Sequence, residues 1–243
     1  DKNIYNNNKN FKNNSSKNNE IITYGNPIYS NHTYKYNLTT GSIYFDGSSD
    51  YLLIPNSSNF NLGSNDFTIE VWFYTMHNSL TQTLLTNATS PWDSQSTWWI
   101  GYDTYGKLSF APKKPDGSIV NLFSNSVLSI NTWYHLAFVR NNNELLIFIN
   151  GSLDVTHILD YNLFDSTNDL YIGTHGSTNN YNLIGYLDNI RIVNGEALYT
   201  ENFDIYNFNG TINNDSYLFD GNDDFYIIPE NIAPQLSGSE FTI

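Results

Sequence analysis

The sequence predicts an all-β fold, a two-sheet antiparallel jelly-roll sandwich. Three observations predict it. From Ile21 onward, short runs rich in Ile, Val, Phe, Tyr, Trp and Thr alternate with clusters of Gly, Asn, Asp, Ser and Pro, which is the punctuation of strands and turns. In Phe67–Tyr74 (FTIEVWFY) the apolar residues fall at 67, 69, 71 and 73 with Thr68 and Glu70 between them, the period of a half-buried antiparallel strand. No segment sustains the 3.6-residue period of an amphipathic helix. Only Asn194–Tyr199 (NGEALY) reads as a single helical turn.

Taken in order, residues 1–20 (DKNIYNNNKNFKNNSSKNNE) are of low complexity, with few apolar groups to offset the entropy of ordering. They are expected to be a tail or linker, or an arm that packs on a neighbouring subunit. Residues 21–41 read as a lead-in. Strands are expected at 42–46, 50–55, 67–75, 81–87, 96–102, 107–111, 118–123, 132–140, 143–150, 152–157, 169–173 and 184–193. Asn141-Asn142-Asn143 is a hairpin turn between two of them, and Asn150-Gly151 is the strongest short-range hairpin signal in the chain. The strands from 42 to 205 form one jelly-roll domain, followed by a linker at 206–215.

Composition narrows the function. Of the 243 residues 40% are hydrophobic and 16% aromatic, enough for a large core, and the net charge is −14. So acidic a surface repels phosphate backbones, which disfavours nucleic acid, and is compatible with hard cations such as calcium. There is no cysteine, which excludes a disulfide framework and thiolate metal sites. No run of 18 apolar residues marks a membrane-spanning helix. The chain is so rich in Asn that the Asn-X-Ser/Thr triplets at Asn31, Asn37, Asn56 and Asn87 carry no weight as glycosylation signals.

The chain also repeats itself. Residues 216–243 align with 42–69 at a constant offset of 174 and without a gap. Ser42, Phe45, Asp46, Gly47, Asp50, Ile54, Pro55, Leu62, Phe67, Thr68 and Ile69 recur at Ser216, Phe219, Asp220, Gly221, Asp224, Ile228, Pro229, Leu236, Phe241, Thr242 and Ile243. Eleven identities in 28 positions indicate one complete copy and the opening strands of a second, truncated one, hence a piece of a larger tandem protein.

Five motifs then fall in order: FDGSSDYLLIP (45–55), NDFTIEVWFY (65–74), TWYHLAFVR (132–140), LLIFINGSL (145–153) and GYLDNIRIVNGEALYTENF (185–203), with LYIGT (170–174) before the last. Together they resemble the laminin-G-like, concanavalin A-like lectin/glucanase superfamily, in its pentraxin-related branch. The ending DNIRIVNGEALYTENF resembles phage and other viral virion proteins that carry this domain. The resemblance implies a concanavalin A-like jelly roll, binding of sugars or proteins, and often a structural calcium. Some relatives are glycoside hydrolases.

Candidate sites follow. Retaining hydrolases need two carboxylates about 5–5.5 Å apart, yet Glu70 has no acidic partner at i+2 or i+4 on its strand, and the five His are scattered. No catalytic residue is expected and the protein is read as a non-enzyme. The resemblance places Asp46 and Gly47 next to Asp188 as oxygen ligands for calcium. The alternative for the same residues is turn chemistry, with Asp-Gly making a tight turn. The aromatic cluster Trp92, Trp98, Trp99, Tyr102 and Tyr105 is a candidate for carbohydrate or partner binding. Adjacent Trp98 and Trp99 must face opposite sides of their strand, so one can be core. Sugar stacking, packing against a neighbouring domain or subunit, and a plain core extension all remain open readings of that cluster.

The expected function is a non-catalytic structural and binding module of a virion protein (fibre, decoration or tail component), mediating assembly or attachment to surface glycans or proteins. The alternative is a secreted or cell-surface lectin-like adhesin. Expected partners are other virion or surface proteins and glycans within a larger assembly, with no nucleic acid and no membrane insertion.

Overall fold

The computed structural model describes residues 19–32, 41–89, 92–176 and 181–205, together with the backbone of 11–13 and 225–229. Most of the expected N-terminal tail, the 206–215 linker and most of the second copy lie outside the described residues. Among the described residues sixteen strands form: β1 (Phe11–Asn13), β2 (Ile22–Tyr24), β3 (Ile28–Ser30), β4 (Ser42–Asp46), β5 (Tyr51–Ile54), β6 (Phe67–Thr75), β7 (Gln82–Thr86), β8 (Trp98–Tyr102), β9 (Leu108–Pro112), β10 (Leu122–Phe123), β11 (Trp133–Asn141), β12 (Glu144–Ile149), β13 (Ser152–Ile158), β14 (Leu170–Ile172), β15 (Ile184–Asn194) and β16 (Phe225–Pro229). A 3-10 turn at Ser58–Phe60 is capped by Ser57, whose side chain accepts from the Asn59 N–H.

Two antiparallel sheets result. One has nine strands in the order β1-β16-β15-β6-β11-β12-β13, with β4 and β3 added beside β15; the other has seven, in the order β10-β9-β8-β7-β14-β5-β2. The alternation read from the sequence places the core between them. Phe67, Ile69, Val71 and Phe73 of β6 face Trp98, Ile100 and Tyr102 of β8, with Phe45, Phe110 and Phe138 filling the middle. The Asn-rich turns close the hairpins as expected. Asn142 (φ 55°), Asn150 (φ 52°) and Gly151 (φ 76°) occupy the left-handed region that these tight turns need. Gly151 has a second duty. A Cβ there would lie 2.1 Å from the Phe203 carbonyl oxygen, because the Phe203 N–H donates to Gly151 O.

The sandwich is sealed along one open side by polar contacts. The Asp154 carboxylate accepts from the N–H groups of Asn125 and Ser126, and His157 Nε2 lies 2.7 Å from Phe123 O. Arg140 is 2% exposed and donates to three carbonyls, of Asn142, Gly63 and Leu159. It works as a buried clamp on loops that have no ladder of their own.

The structure departs from the sequence reading in two places. Residues 21–41 contain β2 and β3, which pair with β5 and β4. The lead-in is therefore part of both sheets, and the domain does not begin at 42. Asn194–Tyr199 forms no helical turn: it leaves β15 as an extended cover, with the Gly195 N–H donating to Asp66 O.

The residues of FDGSSD (45–50) that recur in FDGNDD (219–224) have structural duties in the first hairpin. Gly47 (φ 80°) turns the chain where a Cβ would meet Ile184 Cγ1 at 2.3 Å, and the Ser48 N–H donates to Asp46 Oδ1. Asp50 is 4% exposed. Its carboxylate accepts from the Asn26 N–H at 2.6 Å and the Asp46 N–H at 3.3 Å, so one side chain pins the lead-in to the first hairpin. Asp50→Ala leaves these donors unanswered. It should lower stability by about 1–3 kcal/mol in urea denaturation, with Asp50→Asn recovering part of the loss.

Candidate ligand-binding face

The two outer faces of the sandwich differ. On the nine-stranded sheet, the residues of β6 that point away from the core include Thr68, Glu70 and Trp72. The chain from Gly195 to Ile205 lies across them. Thr68 Oγ1 donates to Glu196 O and accepts from the Leu198 N–H. Tyr199 and Phe203 stack at 3.7 Å and 10°, and with Ala197 they cover Ala137, Val139, Leu146 and Phe148.

Beneath this cover, Glu70 Oε1 lies 2.6 Å from Arg191 Nε, and Oε2 lies 3.5 Å from His135 Nε2. Arg191 also donates to the Tyr199 hydroxyl at 3.0 Å. Burial alone would raise the Glu70 pKa, but His135, Arg191 and Tyr199 outweigh it and hold the carboxyl at about 2. Burial and Glu70 push the Tyr199 phenol up. The carboxylate is fixed in its ionised form. Its partners are a guanidinium, an imidazole and a phenol, none of them a second carboxylate. It is an internal anchor, and it lacks the paired geometry of glycoside hydrolysis.

The outer face of the seven-stranded sheet is built differently. Leu53 of β5, Tyr171 of β14, Thr86 of β7, Trp99 of β8 and Ala111 of β9 are in register across five strands. Tyr24 stacks on Tyr51 at 4.5 Å and 6° near the sheet edge, and Tyr171 lies 6.1 Å from Tyr51. Burial, then Tyr24 and Tyr171, push the Tyr51 phenol up to about 12, so it stays a neutral hydrogen-bonding group.

Trp99 lies flat over Gly101: a Cβ there would meet its Cζ2 at 1.9 Å. Trp99 Nε1 donates to Thr83 Oγ1 at 2.8 Å. Thr83 fixes the opposite wall as well, its N–H donating to Tyr181 O at 2.7 Å. Tyr181 is half exposed and has φ 53°, while the other non-glycine residues at positive φ are all Asn. An aromatic residue held in the left-handed region is strained by roughly 1 kcal/mol or more, and such strain gathers at functional sites.

Trp92 is held by the turn that follows it. Asp93 Oδ1 accepts from the N–H groups of Gln95 and Ser96, from Ser96 Oγ and from Asn168 Nδ2. Burial raises the Asp93 pKa, but these donors win and hold it low. Between the aromatics sits His175, with ring centroids 6.1 Å from Trp92, 6.2 Å from Trp99 and 5.6 Å from Tyr181. His175 is 5% exposed, and neither ring nitrogen has a hydrogen-bond partner among the described residues. Burial pushes its pKa down to about 4, so it is neutral at physiological pH. A neutral imidazole offers one donor and one acceptor. Leaving both unmade in a buried site is costly, and a ligand hydroxyl is the kind of group that satisfies them.

Of the five aromatics singled out from the sequence, the structure brings two together. Trp92 and Trp99 meet through His175. Trp98 and Tyr102 are fully buried and face the opposite sheet, with Tyr102 OH donating to Leu128 O; they belong to the core and cannot reach a ligand. Tyr105 is 80% exposed in the turn beyond β8, away from the pair. Sequence reasoning missed His175 and Tyr181. The available signal was a His between two glycines in GTHG (173–176) and a Tyr after two consecutive Asn, both too short to stand out.

The calcium grouping is corrected. Asp46 pairs with Ile184 on β15, and Asp188 pairs with Trp72. Four residues of strand separate them, roughly 13 Å, whereas oxygens sharing one calcium ion must each lie about 2.3–2.6 Å from it. Asp188 Oδ1 instead accepts from the Asn189 N–H, at a bulge where Asn189 has φ 47°. Among the described residues no three His, Asp or Glu side chains come together to hold a metal. Asp46 and Gly47 are turn residues.

Comparison with known proteins agrees with the architecture. A family profile, described as concanavalin A-like lectin/glucanases superfamily, matches residues 33–201. The chain is 28% identical over 228 residues to a protein of Paraclostridium bifermentans named non-toxic nonhemagglutinin, covering 80% of this chain and 19% of that protein. Among solved structures, the binding domain of Paraclostridial Mosquitocidal Protein 1 superposes with a TM-score of 0.60 at 18% identity, over 75% of this chain and 45% of the other. The botulinum neurotoxin serotype G binding domain gives 0.59 at 14% identity, over 76% and 45%. Domain 4 of the extracellular arabinanase AbnA from Geobacillus stearothermophilus, in complex with arabinotriose, gives 0.54 at 16% identity, over 77% and 82%. The chain spans less than half the length of the Paraclostridium protein and of the two toxin binding domains.

The Glu70 cluster sets an acid limit on the fold. Its folded pKa of about 2 lies below the ordinary 4.5. The stabilisation it gives is therefore present above about pH 4.5 and is lost as the pH falls toward 2. In a pH series of thermal melts, wild type should lose stability across this window and Glu70→Gln should show a flatter profile. Glu70→Ala strands the Arg191 charge and should cost about 3–5 kcal/mol.

Proposed function

This chain belongs to the concanavalin A-like lectin/glucanases superfamily, and from that premise we propose that it is a non-catalytic recognition module. Its ligand is a neutral oligosaccharide, held on the outer face of the seven-stranded sheet by Trp92, Trp99, Tyr181 and His175. The observation that carries this reading is His175, buried beneath three aromatic rings with both nitrogens unpartnered. Aromatic faces stack on the C–H faces of a sugar, and a neutral imidazole meets its hydroxyls. A net charge of −14 argues against sialylated or phosphorylated ligands.

The described relatives support the reading in kind. Two are named binding domains, and a third is a domain solved with arabinotriose. The outer face of the other sheet is closed by Gly195–Ile205, and Glu70 beneath it is bound up as an anchor, so a hydrolytic role draws no support from this site. The module belongs in a larger secreted or surface-displayed protein that uses it for attachment. A virion setting draws its support from the DNIRIVNGEALYTENF ending. Arg191, Tyr199 and Phe203 in that ending have packing duties in this fold, so it speaks to the fold more than to the setting.

A glycan array with matched neutral and sialylated oligosaccharides tests the proposal. Binding should be confined to neutral glycans. Trp92→Ala and Tyr181→Ala should each weaken it about tenfold or more, as aromatic anchors do, with melting temperature nearly unchanged for the half-exposed Tyr181. Affinity should hold between pH 7.5 and 5.5 and fall as the pH nears 4, where His175 gains its proton. Glycan binding that survives both substitutions undiminished would falsify the site.

A further inference from the structure

β15 is the longest strand, running from Ile184 to Asn194. One of its sides is paired with β6 along both halves, Gly185–Asp188 and Arg191–Asn194. Its other side is paired with β4 only over Ile184–Leu187. Past the bulge between Asp188 and Arg191, that second side is open to another strand. β16 takes it, with Arg191 opposite Tyr226 and Ile192 opposite Phe225.

The identity of β16 gives this pairing meaning. At the offset of 174, Phe225 and Tyr226 correspond to Tyr51 and Leu52 of β5. In the first copy, Tyr51 and Leu52 pair with Tyr24 and Thr23 of β2. In the second copy the corresponding positions lie opposite Ile192 and Arg191 of β15 instead. On the other side of β16, Ile228 lies opposite Lys12 of β1, where its counterpart Ile54 lies opposite Leu170 of β14.

We propose that the edge of β15 at Arg191–Ile192 is a docking site for the second copy's strand Phe225–Pro229, taking at Phe225 and Tyr226 the place that β2 takes at Tyr51 and Leu52. Successive copies are then joined by a continuous sheet. The N-terminal strand β1 holds the place that β14 holds in a complete copy. An open strand edge is the natural receiver of another strand, through main-chain hydrogen bonds.

The chain has no cysteine, so disulfide trapping has no background. Directly opposed antiparallel residues have Cα atoms about 4.5 or 5.5 Å apart, both within disulfide reach. In the 243-residue chain, Ile192→Cys with Phe225→Cys, or Arg191→Cys with Tyr226→Cys, should cross-link under mild oxidation in most molecules. Ile192→Cys with Ile228→Cys, three residues out of register, should not. A readout without cysteine guards against misfolding of these variants. Tyr226→Pro removes a ladder donor and should speed amide exchange at Arg191–Asn194 at least tenfold while leaving β11 and β12 unchanged. Absence of both in-register cross-links in folded protein, or equal cross-linking of the out-of-register pair, overturns the proposal. Exchange at 191–194 that ignores Tyr226→Pro does the same.

Discussion

A carboxylate on the outer face of a sheet can be buried only if cations and donors are brought to it, and Glu70 organises half of this molecule on those terms. It sits on β6, the strand with neighbours on both sides in the larger sheet. Arg191 comes from β15, His135 from β11 and Tyr199 from the segment that crosses over the top. Satisfying Glu70 therefore fixes the path of Gly195–Ile205, and that path seals the apolar surface of Ala137, Val139, Leu146 and Phe148. Removal of the carboxylate would loosen a lid as well as a charge. The sealing leaves the outer face of the seven-stranded sheet, where His175 lies among Trp92, Trp99 and Tyr181, as the face without such a cover segment among the described residues.

Most of the architecture was legible because short apolar runs are set off by turns spelled in Asn and Gly. The twelve expected strands all recur, with boundaries shifted by a residue or two; only 118–123 shrinks, to Leu122–Phe123. Ile22–Tyr24 and Ile28–Ser30 escaped notice because three residues are too few to display a period of two. Their place is set by Asp50, a long-range contact that no local window contains. NGEALY looked helical because Glu, Ala and Leu favour helix, yet burial of Ala197 and Tyr199 against the sheet overrode that weak preference.

The binding face was half legible. Opposite orientations for Trp98 and Trp99 follow from strand geometry alone, and the structure sends Trp98 into the core and Trp99 to the other side of the sheet, where it is 7% exposed. Which other aromatics joined Trp99 depended on loops meeting from distant parts of the chain. Thr83 selects Tyr181 through its N–H and Trp99 through its hydroxyl, a coincidence with no sequence spacing to betray it. The calcium grouping failed for the complementary reason. Asp46 and Asp188 do lie on neighbouring strands, but the register slides them four residues apart, and register is a property of the folded sheet.

The turns bear on the state the chain leaves behind when it folds. Asn131, Asn142, Asn150 and Asn189 all adopt positive φ, a conformation that glycine reaches with less strain. Glycine, however, brings a broader unfolded ensemble, and restricting that ensemble costs about 0.4–1 kcal/mol more per site than for a residue with a side chain. By using Asn at these corners, the chain accepts slight local strain in exchange for a less disordered denatured state. An Asn content that looked like compositional background thus gives this sandwich its left-handed corners at a lower entropic cost.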